Sequence, residues 1–433
     1  MINRVILCSA VLLALATAPA AAQNIIRLTV DEAVQRAIAA SQRLAEANAR
    51  QAGAQAAVRA RHAEDQPRLS ASATYLRTNH VQEFTVPNAA GGVRVLFPDL
   101  PNNYYTRLNF DWPIYTAGRN DALQRAAEAE ARASSADVGA ARDDLRLEVV
   151  RAYWALATAT EAERVLTEAL GRADAHLRDV RSQFDAGLIP PNEVSSAEAR
   201  RSRQQLQLIE ARNHRRSILE ELQRLTGIEQ EIQLADPLEG VGPAGAPDTL
   251  PDPTRAERQA LLDRIAAADE QRRAILTGNR PTLSVIAGLD YSNPNLRVFP
   301  RSGEWRAFWE VGVTANWMLW DGGRVAAQAD EAAAAATAGR ARLADLDLQI
   351  ALDVRQRLLD AESARAALVA AADAVRSAAE ARRVVAERFA VGVATNTEVL
   401  DAQVELLEAE LERARALANI RLADARLDRA LGR

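Results

Sequence analysis

A motif repeated at a constant spacing constrains this chain more than any other feature of its sequence. The segment 112–119, WPIYTAGR, returns 205 residues later as 317–324, WMLWDGGR. The segment 184–187, FDAG, returns with the same spacing as 389–392, FAVG. Because an insertion between the motifs of either half would break this spacing, the chain is predicted to contain two tandem repeats.

Each repeat contains two stretches in which apolar and polar residues alternate. A period of two is typical of a β-strand with two different faces. A tilted strand needs about 9–11 residues to cross the hydrocarbon of a bilayer, and the alternating runs have about this length. We therefore predict one β-hairpin in each repeat, with strands at 68–76 and 104–115 and at 282–291 and 308–320.

Aromatic residues are concentrated around the predicted strands. Eight of the 19 Phe, Trp and Tyr residues fall in 69–115 and seven fall in 281–320. Membrane strands carry aromatic girdles at both interfaces. A soluble hairpin packed on helices shows the same alternation and is commoner across proteins, but the aromatics favour membrane strands. Those at or near strand ends are Tyr104, Tyr105, Trp112, Tyr115, Trp305, Trp309, Trp317 and Trp320.

Long stretches without proline follow both hairpins. In 145–184 apolar residues recur at alternating steps of four and three, and 350–389 repeats this pattern. Such spacing is typical of coiled-coil packing, so each repeat is predicted to carry an antiparallel helical hairpin. A helical hairpin considered alone also fits a free-standing soluble coiled coil. The predicted helices are 29–65, 119–183, 192–226, 255–277, 324–389 and 397–431.

The beginning of the chain predicts export from the cytoplasm. A short apolar run is followed by small residues up to Ala22, so residues 1–22 are predicted to be a cleaved signal peptide. The only cysteine, Cys8, lies in that segment, and the mature chain is therefore expected to form no disulfide or thiolate metal site. The remaining boundaries are a first repeat at 23–235, a Pro/Gly-rich linker at 236–254 and a second repeat at 255–433.

Four strands per chain are too few to close a membrane barrel. The smallest transmembrane barrels have about eight strands, and open strand edges are not tolerated in lipid. Membrane strands in this chain therefore require association with further copies. Two, three or four copies would give 8, 12 or 16 strands, and the strand pattern does not choose among them.

Taken together, these motifs resemble those of the TolC-like outer membrane efflux family. The segment 28–38, LTVDEAVQRAI, is similar to the opening helix of that family. The strand exits at Tyr115-x-x-Gly118-Arg119 and Trp320-x-x-Gly323-Arg324 are similar to its strand-to-helix junctions. The resemblance implies a mainly α chain with a small membrane β part. It also implies a trimer that forms a 12-stranded β-barrel in the bacterial outer membrane and an α-helical tunnel in the periplasm.

The family resemblance also implies partners and a function. The chain would be a passive efflux or type I secretion channel that contacts outer-membrane lipid, and not an enzyme. It would need no cofactor, and a periplasmic adaptor (membrane fusion) protein would link it indirectly to an inner-membrane pump of the RND or ABC type. The adaptor-contacting tips would be Gly187, Leu188, Ile189, Gly392, Val393 and Ala394, and the pore gate Glu193, Glu398 and Asp401.

The second tip turn departs from the family pattern. Family members that lock the tip use an Arg and a Tyr there, where this chain has Ala394 and Phe389. A different closure is therefore expected in this protein.

Other functional classes receive little support from the sequence. The four histidines are interpreted as solvated side chains, and the spacing of Asp174, His176 and Asp179 does not suit a metal site on a helix. No nucleophile elbow, phosphate loop or zinc-protease motif occurs. The net charge of −5, without a basic block, argues against nucleic acid as a partner. A hydrolase and a periplasmic coiled-coil scaffold without a pore remain as alternatives.

Overall fold

A computed structural model describes residues 26–89, 91–236, 238 and 253–433 of the chain. The predicted signal peptide at 1–22 lies outside the described residues, and so does most of the predicted linker at 236–254.

The chain is mainly helical, and two of its helices are unusually long. Each of the long helices contains 67 residues, and each is followed by a helix of 36 residues. The helices are α1 (Val30–Ala40), α2 (Gln42–Ala63), α3 (Arg119–Asp185), α4 (Pro191–Thr226), α5 (Ala256–Leu276), α6 (Arg324–Ala390) and α7 (Asn396–Leu431). The strands are β1 (Ile26–Leu28), β2 (Arg68–Arg77), β3 (Phe84–Pro87), β4 (Val93–Phe97), β5 (Asn102–Tyr115), β6 (Ile232–Leu234), β7 (Thr282–Asn293) and β8 (Arg306–Asn316).

Most element boundaries differ from the sequence-based expectation by one or two residues, and two differences are larger. The helix expected at 29–65 is interrupted at Ser41, whose backbone is extended and whose Oγ accepts a hydrogen bond from the Leu44 amide at 3.2 Å. A serine that satisfies a free amide in this way starts a new helix. The strand expected at 308–320 ends at Asn316, because the ladder to β7 stops where Asn316 pairs with Thr282 at the start of that strand.

The described chain divides into two compact units. One unit comprises the chain up to Glu46, Gly139–Ala256 and Asp347–Arg433, and the other comprises Ala47–Val138 and Glu257–Leu346. None of the described helices is both long enough and apolar enough to span a bilayer.

The first unit has an apolar core built around a short parallel pair, β1 and β6. Ile26 pairs with Ile232 and Leu28 pairs with Leu234. Side chains of α1, α3 and α4 pack on this pair, and those that are fully buried include Ala33, Val149, Tyr153 and Leu222. Three residues per strand are too short for a periodic pattern, which is why the sequence did not predict β1 or β6.

Hydrogen bonds of Tyr153 on α3 connect the end of β1 to Asp236, which follows β6. Its hydroxyl donates to the Leu28 carbonyl at 2.9 Å and accepts from the Asp236 amide at 3.1 Å. The Asp236 carboxylate also accepts from the Val30 amide at 2.8 Å. Burial raises the pKa of the Tyr153 hydroxyl, which keeps this group a hydrogen-bond donor.

The long helices of the first unit pair into two hairpins, α3 with α4 and α6 with α7. An ion pair joins the two hairpins: Arg172 Nη2 on α3 lies 2.8 Å from Glu410 Oε2 on α7. Val165 and Leu166 of α3 share an apolar cluster with Leu208 of α4 and Leu407 of α7. At this level the intrachain contact between hairpins involves α3, α4 and α7, and near the tips Phe389 of α6 also packs against α3.

The second unit contains a four-stranded antiparallel sheet in the order β2-β5-β7-β8. β5 of the first predicted hairpin pairs with β7 of the second, so that Leu108 faces Leu289. One chain thus supplies a continuous four-stranded sheet instead of two separate hairpins. Helical segments of this unit are linked by ion pairs such as Arg132 with Asp263 at 3.0 Å.

Candidate functional site

The four-stranded sheet has one face that is almost wholly apolar and open to the surroundings. On the edge strand β8, Val311 is 67% exposed, and its neighbours on the same face of that strand, Trp309 and Val313, are equally open. Water-exposed apolar surface of this extent is unusual in a soluble protein and marks an interaction surface. The largest exposed members of this face are Leu69, Tyr75, Leu108, Trp112, Leu289, Tyr291, Trp309, Val311 and Val313.

The opposite face of the same sheet is polar and carries an ionic network. Arg107 on β5 forms ion pairs with Asp290 on β7 and with Glu310 on β8. Glu310 also binds Arg297, with 2.9 Å between Nη2 and Oε2. One apolar face and one charged face are expected of a sheet that separates lipid from water, because its strands alternate apolar and polar residues.

The two edge strands of this sheet are paired on one side only. Within the described residues, β2 pairs with β5 alone and β8 pairs with β7 alone. Their outer N–H and C=O groups would be unsatisfied in lipid, where every backbone group needs a partner. In lipid, the sheet of a single chain would therefore need further strands on both of its edges.

The aromatic residues lie in two groups that mark the ends of the strands. Tyr104 packs against Tyr75 with ring centroids 5.1 Å apart, and Trp305 stacks on Tyr291 at 5.0 Å. Tyr105 lies on β5 next to this group, whereas Trp309 lies three residues inside β8. The structure therefore places the predicted aromatics near the sheet ends, except that Trp309 is closer to the strand centre.

The other aromatic group includes two tryptophans at corresponding positions of the repeated motif. The Trp112 indole donates to the Asp65 carbonyl at 3.1 Å, and the Trp317 indole donates to the Asn279 carbonyl at 3.0 Å. Asp65 precedes β2, which pairs with β5, and Asn279 precedes β7, which pairs with β8, so each tryptophan ties the end of one strand to the start of its partner strand. Tyr115 and Trp320, three residues after each tryptophan, are exposed.

At the far ends of the helical hairpins, two turns have the same hydrogen bonds. Gly187 donates to the Phe184 carbonyl at 2.8 Å, and Gly392 donates to the Phe389 carbonyl at 3.0 Å. The φ angles of the two glycines are 73° and 75°, a left-handed conformation that side chains with a Cβ disfavour. Both helical hairpins therefore turn through a glycine that the backbone requires.

Each tip turn presents one apolar side chain outward and packs the next one inward. Leu188 and Val393 are exposed, whereas Ile189 and Ala394 pack against an apolar cluster that includes Val180 and Val399. The six residues predicted to contact an adaptor thus divide into two outward-facing side chains, two inward-facing side chains and two glycines.

The three predicted gate acids have different surroundings in the structure. Glu193 is half-buried, and its carboxylate accepts a hydrogen bond from Asn396 at 2.8 Å. Glu398 is exposed and caps α7, where its Oε1 accepts from the Thr395 hydroxyl at 3.1 Å. Asp401 is exposed and lies near Arg200, whose pKa is lowered by burial. Glu398 therefore has a structural role in addition to any role in a gate.

The interpretation of all four histidines as solvated is wrong for His176. Its side chain is 6% exposed, because α7 and α6 cover it with Asn396 and Phe389. Asp174 binds Arg201 at 2.9 Å instead of facing His176. Among the described ranges 26–89, 91–236 and 253–433, no group of three or more His, Cys, Asp or Glu side chains is arranged to hold a metal ion.

The family of this chain is shown by its similarity to known proteins. The model of the family described as outer membrane efflux protein matches residues 33–228 and 255–433, which is most of the chain. The chain belongs to the outer membrane efflux protein family. The Vibrio cholerae outer membrane protein TolC is 26% identical to it over 335 residues, which cover 75% of this chain and 76% of that protein.

Solved structures of bacterial outer membrane proteins share the fold of this chain. The Campylobacter jejuni CmeC outer membrane channel superposes with a TM-score of 0.75 at 19% identity, covering 93% of this chain and 85% of CmeC. The Vibrio cholerae outer membrane protein VceC gives a TM-score of 0.74 at 22% identity, covering 93% and 96% of the two chains.

Family membership gives the location and general function of the chain. It is an outer-membrane channel protein for efflux, with its helical part in the periplasm. The outer membrane efflux protein family consists of channel proteins and not of enzymes. The alternative of a periplasmic scaffold without a pore does not account for this membership, nor for the two-faced sheet.

Proposed function

We propose that three copies of this chain close a 12-stranded β-barrel in the outer membrane and a helical tunnel below it. The assembly is a passive conduit that receives cargo from a periplasmic adaptor and an inner-membrane pump of the RND or ABC type. The observation that carries this proposal is the sheet of the second unit, which has an exposed apolar face and two open edges. Its edge groups reach partners in lipid only when β8 of one copy pairs with β2 of the next.

The two halves of the chain act as tandem repeats in this assembly, each with a strand pair and a helical hairpin. Support comes from the paired indole hydrogen bonds of Trp112 and Trp317 and from the equal lengths of α3 and α6. Three copies then supply six similar helical hairpins around one axis. A barrel of 12 strands leaves the interior open to water, because the diameter of a barrel grows with its strand number.

Exposed apolar side chains on α4 and α6 identify the surface between neighbouring copies. Ile209 on α4 and Val369 on α6 are apolar side chains that no other part of the described chain covers, with 48% and 63% of their surface exposed. Each lies about 20 residues from its own tip turn, so the two side chains lie at the same level when hairpins stand side by side. The intrachain contacts use other helix faces. Packing α4 of one copy on α6 of the next is a heterologous contact, which closes into a ring.

A charge swap tests this surface. Ile209→Glu or Val369→Arg alone should weaken the trimer, because each places a charge opposite an apolar side chain of the neighbour. The double variant Ile209→Glu/Val369→Arg should recover it, because the two charges then meet across every interface. Native mass measurement in detergent gives the fraction of trimer in each variant.

The channel proposal and the α4–α6 surface are contradicted by different outcomes. A wild-type protein that remains a soluble monomer would end the channel proposal. A double variant no more trimeric than the single variants would remove the α4–α6 surface. Leu348→Glu, at another exposed position of α6, serves as the control for a general effect of surface charge.

The two tip turns are the adaptor contact in this proposal. Their exposed side chains, Leu188 and Val393, lie at corresponding positions of the two hairpins. A trimer would therefore present six exposed apolar side chains at the tips of its hairpins. Exposed apolar side chains that are surrounded by polar residues are typical of protein-binding surfaces. The cargo is not specified by these contacts, because a passive conduit leaves selection to the pump and its adaptor.

The pore gate is proposed to include stacked acidic rings formed by Glu398 and Asp401, three residues apart on α7. Charges of one sign around a narrow pore favour entry of the opposite ion, so the wild-type channel should select cations. In planar lipid bilayers, Glu398→Gln/Asp401→Asn should lose most of this selectivity and the block by divalent cations. Glutamine is accepted in a capping box, so this change keeps the start of α7.

A neutralised acid elsewhere on the surface provides the control for the gate. Asp179→Asn, at an exposed site on α3, should leave the cation selectivity unchanged. Equal selectivity and equal divalent block in the wild type and in the Glu398→Gln/Asp401→Asn variant would eliminate the acidic rings.

A further inference from the structure

A groove of about 330 Å³ lies between α3, α4 and α7 in the first unit. Cavities of this volume are large enough to hold a small organic molecule. The largest apolar side chains that line it are Trp154 of α3, Ile218 of α4 and Leu422 of α7. Only 6% of the Trp154 surface is exposed, so the surrounding helices hold the indole ring in place. The groove therefore offers a fixed apolar wall to a ligand.

The groove exists because the side chains of α3 are small where α4 and α7 approach that helix. Ala155, Ala159 and Ala162 are separated by four and three residues, which places them on one face of α3. All three line the groove, together with Ala418 of α7. Helix contacts are normally filled to high density by larger side chains. Methyl groups leave that space open beside Trp154.

The ionisable side chains that line this groove are all basic. Arg151 of α3, His214 of α4 and Arg415 of α7 are exposed at its opening. In the part of the chain that the structure describes, no aspartate or glutamate lines it, whereas the groove beside β6 is lined by three acids and one arginine. We call the cavity between α3, α4 and α7 the basic groove.

The chain itself leaves positive charge at the basic groove without full compensation. Among the described residues, Arg151 has no hydrogen-bond or ion-pair partner. Burial, together with the positive charges of Arg151 and Arg357, lowers the pKa of the neighbouring Arg426. Arg415 has an exposed ion pair, with 3.5 Å between its Nη1 and Glu412 Oε2, and exposed pairs of this kind are weak. An anion in the groove would therefore be attracted by both lining arginines.

The basic groove is not part of the repeated pattern. The residue that corresponds to Arg151 in the second half of the chain is Gln356, and the residue that corresponds to Arg415 in the first half is Glu210. Helix pairing occurs in both halves, so it does not require these two arginines. Their presence at one groove calls for another explanation.

The basic groove lies on a different side of α4 from the proposed surface between copies. That surface includes Ile209, whereas His214 and Ile218 line the groove. At 3.6 residues per turn, these two side chains are rotated about 140° and 180° from Ile209 around the helix axis. Packing of a neighbouring copy on Ile209 therefore leaves the groove open.

We propose that the basic groove is a binding site for amphiphilic carboxylates, molecules that carry one carboxylate on an apolar body. Arg151 and Arg415 hold the carboxylate, because guanidinium N–H groups are suited to carboxylate oxygens. The apolar body packs on Trp154 and gains free energy by leaving water. The site is formed within one chain and is separate from the tip turns and the acidic rings. It therefore goes beyond the proposed function and does not depend on a pore.

Energy transfer from tryptophan to 1-pyrenebutyrate, a carboxylate with an apolar ring system, tests the site. The full-length protein is titrated in lipid nanodiscs. Trp154 is the one tryptophan of the chain that lies neither within nor within four residues of β5 or β8. Binding in the groove should quench tryptophan emission with a saturable phase, and Trp154→Phe should remove that phase. Transfer from the other tryptophans to probe dissolved in the lipid is the same in both proteins.

Charge variants show whether the carboxylate is recognised. Arg151→Gln/Arg415→Gln should weaken 1-pyrenebutyrate binding about tenfold, because charge-assisted hydrogen bonds are lost. Arg178→Gln/Arg216→Gln removes the same charge from exposed positions of α3 and α4 outside the groove and should bind as the wild type does. The neutral 1-pyrenebutanol has the same ring system and should bind the wild type about tenfold more weakly.

A variant that fills the groove tests its position without removing charge. Asn419 is exposed and lines the groove, so Asn419→Phe should abolish the saturable phase while the helices remain folded. A wild-type protein without a saturable phase would overturn the site, as would equal affinity in the wild type and Arg151→Gln/Arg415→Gln, or equal affinity for the two pyrene probes. A protein that binds 1-pyrenebutyrate in this arginine-dependent way but passes no ions in planar bilayers would remove the channel and confirm the site.

Discussion

Arginine in place of Val311 should prevent stable insertion of the protein into the outer membrane. Val311 lies at the centre of β8 on the exposed apolar face of the sheet. An arginine on the lipid face of a barrel costs about 2–4 kcal/mol at the bilayer midplane, and in a trimer this cost is incurred in every copy. The expected result is loss of the trimer from the outer-membrane fraction, measured by its heat-modifiable migration in detergent gels.

The next residue along the strand gives a control at the same depth. Gly312 faces the polar side of the sheet, and a Cβ there would meet only Ile286 Cγ1, at 3.9 Å. Gly312→Arg should therefore insert and form trimers, because the guanidinium would reach the water-filled interior of the proposed barrel. If both variants insert equally well, the apolar face does not contact lipid and the sheet is not a membrane wall.

Replacing both tip glycines with valine should abolish export while the trimer remains intact. Valine at a φ of 73° or 75° is strained, and a left-handed residue with a Cβ costs about 1–2 kcal/mol, more when it is β-branched. No atom lies within 4 Å of a Cβ built at Gly187 or Gly392, so the effect would come from the backbone alone. The turns would rearrange and displace Leu188 and Val393 from their places.

Crosslinking in cells measures this effect without knowledge of the cargo. A photoreactive benzoylphenylalanine in place of Leu188 should crosslink to the periplasmic adaptor, and Gly187→Val/Gly392→Val should remove the crosslink. Asparagine tolerates the left-handed region, so Gly187→Asn/Gly392→Asn should preserve it. Valine variants that export and crosslink as well as the wild type would place the adaptor contact elsewhere.

The sequence predicted the features that depend on local pattern. The alternation in β8 identified which side chains share a face, because a strand repeats every two residues. The repeated glycines identified both tip turns, since few other residues adopt a positive φ. Such local patterns did not predict the pairing of β5 with β7. It joins Leu108 to Leu289, and strand pairing over that separation leaves no periodic signal in either segment.

Burial of His176 was missed for the same reason. A single histidine in a helix rich in charged residues has the pattern of a surface residue. Its surroundings are set by Asn396, which lies 220 residues later in the chain. The sequence contained one signal that could have found it: Asn396 and His176 both interrupt the repeat, where the other half has Pro191 and Ala381.

The open edges of the sheet also determine how this protein must be made. A newly exported protomer carries rows of free backbone groups on β2 and β8, and these can pair with any strand that it meets. Closure of the proposed barrel requires three protomers to meet in the right orientation, whereas misassociation requires only two. Crowding in the periplasm therefore favours aggregates over channels, unless chaperones keep the protomers apart until they reach the membrane. The yield of channels should depend more on the rate of synthesis than on the stability of the finished assembly.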